Sequence, residues 1–248
     1  MAAREFYLMT SLVPLPDLGG VPPVALADLA QDVAARRGPA ELVRTILLSD
    51  DLLQRESFLA GEAGAVEPAV LTEAQARNEA PLPDFLAAEG AETGRPAADA
   101  VWEAYWRHAA SVARRRGSAF LAAWVEAELA LRNALATARA QALGLEPGDY
   151  LVAADLAGRM DDFGPVVSEW ASAANPLEGL RLLDRARWAW LVEHDRWFSF
   201  GEDEVAAYAA KLVLLVRWHR IGAAATADPV SGRASGPGDR PASGQARA

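Results

Sequence analysis

Between Phe120 and Gly144 the chain reads FLAAWVEAELALRNALATARAQALG. Phe120, Trp124, Leu131, Leu135 and Ala138 recur at helical spacing, which predicts one amphipathic helix of about seven turns. Ser118 stands ahead of it as an N-cap, and Gly144 follows where a left-handed residue is wanted. Within the apolar stripe lies Glu128, with Arg132 four residues on. Such a pair is either an ordinary surface i,i+4 contact or a buried polar pair that fixes the register of packed helices. A long helix with charge in its packing face points to helix-on-helix assembly.

The rest of the chain follows the same rhythm. Leu26, Leu29 and Val33 mark a helix over about 24–37, closed by Gly38. Pro39 opens another to about Leu48, and Asp50 caps a short one through Phe58. From residue 61 to 96 the periodicity fades, with one capping signature at Thr72 and Gln75. Trp102, Trp106, Ala109 and Val112 line one face of the next helix, which ends at Arg114-Arg115-Arg116 and Gly117. Asn175-Pro176-Leu177-Glu178 is a helix start, and a last helix begins near Gly201 with Glu202, Asp203 and Glu204 against its positive end. Val205, Tyr208, Leu212, Leu215 and His219 form its expected buried stripe.

These signals predict an all-α fold: a multi-helix bundle of about seven to nine helices over residues 1–221. Possible sub-lobes are 1–60 plus 97–221, with a weakly structured insertion at 61–96. Residues 222–248 are almost all small or polar, so a disordered C-terminal tail is expected there.

Charge and composition narrow the function classes. The net charge of −10 argues against nucleic acid and against adhesion to an anionic lipid surface. Absence of cysteine removes disulfides, thiolate metal sites and a cysteine nucleophile. The most apolar segment, Val205 to Val216, is about twelve residues and is interrupted by Lys211, against roughly 20 for a span. Arg4 and Glu5 precede the apolar run Phe6 to Leu15, a poor match to a secretory signal.

The residues supply no recognisable catalytic motif. His108, His194 and His219 lack the Glu-x-x-His and His-Glu-x-x-His spacings of metal sites, so no metal or cofactor is expected. Asp155, Asp161 and Asp162 read as a solvated, helix-capping loop. The eight tryptophans, at turn-spaced positions such as Trp102 and Trp106, read as core. A hydrolase or transferase would require a deep polar cleft holding Asp161, Asp162 or His194.

Three segments carry a resemblance: the opening FYLMTSLVPLP, the helix WVEAELALRNALATARAQALG, and WAWLVEHDRWFSFGEDEVAAYAAKLVLLVRW. Together they resemble an uncharacterised bacterial family that accompanies V/A-type ATPases and is itself similar to the C/d component of their central stalk. The resemblance covers about 1–60 and 97–220. It implies a non-catalytic, all-helical central-stalk component, cytoplasmic and peripherally membrane-associated through its complex. Its partners would be the rotor shaft and the membrane proteolipid ring, and it would couple the two for ion transport. A helical adaptor or assembly factor is the alternative. Trp124, Glu128, Arg132 and Asn133 are the candidate structural or interface residues.

Overall fold

The computed structural model describes residues 10–87, 97–158, 162–195, 199 and 201–227. Among these residues the chain forms eight α-helices and no strand. They are α1 (Leu26–Val33), α2 (Arg37–Leu59), α3 (Glu73–Ala76), α4 (Ala97–Arg116), α5 (Ala119–Ala142), α6 (Gly164–Ala171), α7 (Pro176–His194) and α8 (Glu202–Ala227). None of them is long and apolar enough to cross a membrane.

Local chemistry sets several of the boundaries. The Ser118 hydroxyl accepts the Leu121 amide, and Gly144 turns left-handed at φ +68° just past α5. Asn175 accepts the Glu178 amide ahead of Pro176, starting α7. Thr72 and Gln75 form a reciprocal capping box on α3.

The long-range contacts change other expectations. Gly38 does not close α1 but lies in the first turn of α2, where the Arg116–Glu202 ion pair passes so near that a Cβ would collide with it. The break expected near Asp50 is absent, and α2 runs unbroken for 23 residues. Asp50 is not a cap: its buried carboxylate accepts from Arg220 of α8 at 2.8 Å. Nor does Asp203 serve its own helix alone. It accepts from the Ser118 hydroxyl at 2.5 Å and from the Phe120 amide at 3.1 Å, so α8 helps cap α5. His219 is exposed rather than part of the buried stripe, and Tyr208 is half-buried. The last helix continues to Ala227, six residues into the expected tail; residues 228–248 lie outside the described residues, as do residues 1–9 of the opening segment.

Helix α2 packs most extensively along α8, with α4 also against it and α1 across its start, while α5 packs on α4 and α8. One large core joins α1, α2, α4, α5, α7 and α8. Tyr105 sits at its centre, fully buried, donating to the Thr45 carbonyl at 2.9 Å. A smaller cluster of Leu131, Leu135 and Leu183 gathers α6 onto α5 and α7, with Trp170 and Phe163 packed on it. Residues 60–87 carry little regular structure yet are tied down. Asp51, fully buried, accepts the amides of Ala69, Val70 and Leu71 at 2.7–2.8 Å, and Arg55 donates to Asn78 at 2.6 Å. The weak periodicity of this stretch reflects anchoring by polar contacts rather than by an apolar stripe.

Candidate functional site

The four residues singled out on α5 reach four different neighbours. Trp124 packs beside Trp106 of α4, ring centres 5.5 Å apart. The Glu128 carboxylate accepts from Nε of Arg187 on α7, both oxygens at 3.0 Å. Arg132 donates to Asp99 of α4 at 3.0 Å and lies over the Trp102 ring at 5.3 Å. Asn133, 8% exposed, donates to the Val152 carbonyl at 2.9 Å and accepts its amide at 3.0 Å. Glu128 and Arg132 therefore do not pair with each other. Each finds a partner on a different helix, because packing brings a second opposite charge to each.

Asn133 mimics a backbone strand edge, satisfying both groups of one residue in the loop after α5. Asn133→Leu removes both bonds and orphans a buried amide and carbonyl, costing about 1–3 kcal/mol. Urea unfolding measures the loss, and hydrogen exchange at the Val152 amide should rise with it. Unchanged protection there would refute the role.

Around Glu128 the charges form a chain. Arg187 also donates to Asp184 at 3.4 Å, and Asp184, fully buried, is paired with Arg217 of α8 as well. Burial pulls the Arg187 guanidinium down, but Glu128 and Asp184 together outweigh it and hold the group above its ordinary range. One Asp184 oxygen, Oδ2, and the Arg217 Nε have no hydrogen-bond partner. This junction ties α5, α7 and α8 at one level of the bundle. Across from it, Glu56 of α2 accepts from the Trp102 indole at 2.6 Å, and burial raises its carboxyl.

Between these two groups lies a half-open cleft of about 1120 Å³. It occupies the gap where the large core and the α6 cluster fail to merge, since its walls include Trp106 and Leu191 from one, and Leu135 and Leu183 from the other. Trp124, Glu128 and Arg132 line it; Asn133 faces the Val152 loop instead. Neither Asp162 nor His194 is on its walls. His194 lies against Trp190, ring centres 3.9 Å apart, beside a separate cavity of about 100 Å³. His108 stacks on Phe85, and Asp155 pairs with Arg107 at 3.1 Å. Asp162 accepts the Gly164 amide at the start of α6, and Asp161 is outside the described residues. Among the described residues no three histidine or carboxylate side chains converge as metal ligands.

Sequence reasoning does not single out Asp184, Arg187, Arg217, Arg55, Glu56 and Arg139, which complete the junction and the cleft walls. The one local signal is their recurrence on α2, α5, α7 and α8 at positions facing the same side as large apolar residues. No protein-family model, characterised protein or solved structure matches the chain.

Proposed function

We propose that this chain is a non-catalytic helical component of a V/A-type rotary ATPase, in the position of the C/d component of the central stalk. It would sit between the rotor shaft and the membrane proteolipid ring, held at the membrane through that complex. The observation that carries the reading is the meeting of the segments that bear the resemblance. The helix WVEAELALRNALATARAQALG is most of α5, and the closing segment supplies the end of α7 and most of α8. These three helices meet at the Glu128–Arg187–Asp184–Arg217 junction. A part that transmits torque needs helices that keep their register under load, and ion pairs linking rods at one level supply that.

The test is purification of the ATPase from the native host with an affinity tag on this chain. The catalytic head and the ring proteolipids should be recovered with it at fixed stoichiometry. An intact, active ATPase that lacks the chain overturns the proposal. A second reading, an adaptor or assembly factor, is favoured by the exposed apolar side chains Leu59, Leu143, Leu145 and Tyr150 around the cleft. That reading calls for the chain on assembly intermediates and its loss from the finished enzyme.

A further inference from the structure

The cleft is graded along its length. Its floor is buried: Trp106 and Trp124 are 4% and 6% exposed, with Leu191 and Ala210 beside them. Its mouth is apolar and open, and Leu143 there is 73% exposed. Single exposed leucines are ordinary on a protein surface; Leu59, Leu143, Leu145 and Tyr150 around one opening are not.

Charge inside the cleft runs opposite to that of the whole molecule. Five arginines line it against three carboxylates, Glu56, Asp99 and Glu128, in a chain of net charge −10. Arg132, Arg187 and Arg217 are committed to carboxylates. Arg55 and Arg139, toward the mouth, are not. Arg55 meets the Asn78 amide oxygen and Arg139 lies over the Trp170 ring at 5.0 Å. Burial lowers the Arg55 guanidinium below the ordinary range, by more than the neighbouring Glu56 carboxylate raises it.

Size and charge select the occupant. The volume exceeds the roughly 300–1,000 Å³ of sites for compact ligands, so a small metabolite would leave much of the cleft wet. Along α5 the wall runs from Trp124 to Leu143, about 28 Å at 1.5 Å per residue. An extended apolar chain lies along that wall, from the floor toward the mouth. A protein segment acidic enough to satisfy both arginines would approach against the net −10 charge, whereas a molecule with one acidic head meets little of that repulsion. We infer that the cleft binds a long-chain amphipathic anion, a carboxylate or a phosphate monoester, with its head on Arg55 and Arg139 and its chain along Trp102, Trp106 and Trp124. The site does not depend on the ATPase reading.

The full chain is titrated by calorimetry with oleate and, separately, with dodecyl phosphate, each below its micelle concentration, while tryptophan emission is recorded. Saturable one-to-one binding by at least one of them, with an emission shift, is expected, and methyl oleate should not bind at the same concentrations. Arg55→Gln and Arg139→Gln should each weaken Kd about ten- to a hundredfold with the fold intact by circular dichroism. Ala136→Trp fills the wall while keeping every charged residue of the cleft and should abolish binding. Failure of both amphiphiles to saturate, methyl oleate binding as tightly as oleate, or undiminished binding by Ala136→Trp each overturns the inference. So does saturable binding of an acidic amphipathic peptide that neither amphiphile displaces.

Discussion

Arg187→Met should destabilise the protein by about 3–5 kcal/mol, because it leaves the half-buried Glu128 without a cation and takes one of two from the buried Asp184. Glu128 accepts both its hydrogen bonds from Arg187 Nε at 3.0 Å, and Asp184 accepts a further one at 3.4 Å. Methionine keeps most of the volume, so lost packing contributes little and the effect reports the uncompensated charge. Asp184 retains Arg217, whereas Glu128 has no other cation within ion-pair distance among the described residues. The double variant Arg187→Met/Glu128→Gln should therefore recover much of the loss. Urea unfolding of the single and double variants gives the coupling energy directly. A loss below about 1 kcal/mol, or no recovery in the double variant, would mean that the junction is loose and that α5, α7 and α8 are held by apolar contact alone.

What is legible in the sequence is what lies within a few residues along the chain. The caps at Ser118, Thr72 and Asn175 each depend on an amide three residues on, and each forms as its spacing implies. The apolar face Trp102, Trp106, Ala109, Val112 is buried as its period demands. What is not legible depends on partners far along the chain. Asp50 looks like a helix start because short carboxylates favour N-caps; here Arg220, 170 residues away, satisfies it, and the amides of 69–71 satisfy the neighbouring Asp51, within an unbroken helix. The acidic triplet that opens α8 looks like dipole compensation alone, but Glu202 and Asp203 also serve Arg116 and the start of α5. For the candidate site the pattern is the same. Trp124, Glu128, Arg132 and Asn133 stand out on one periodic helix, while Arg187 and Asp184 resemble ordinary charges on a solvated face until α7 is laid against α5. The i,i+4 rule offers Arg132 as the partner of Glu128, and tertiary packing overrides it.

Asp51→Ala should cost about 3 kcal/mol or more, since one buried carboxylate accepts three backbone amides, from Ala69, Val70 and Leu71. The orphaned N–H groups lose their bonds in a part-buried stretch, and Leu71, 6% exposed, sits on the core at the same spot. The damage should spread locally first: hydrogen exchange at 69–71 should accelerate by more than the global stability falls, because the other polar ties to α2, Gln54–Glu67 and Arg55–Asn78, lie at the exposed surface. Asp51 also carries a pH signature. Burial raises its carboxyl to about 6 against the pull of the three amides, and neighbouring Asp50 adds to the rise. The folded state then holds a proton that the unfolded chain, titrating near 3.8, has already released. The contribution of this group is fully present below about pH 4 and is lost as pH rises through about 6. Asp51→Asn cannot titrate, so the stability difference between parent and variant, measured by urea unfolding from pH 4 to 7, should shrink as pH rises. A difference that stays constant, or grows, across that range would show the carboxylate to be ionised throughout, with the three amides outweighing burial.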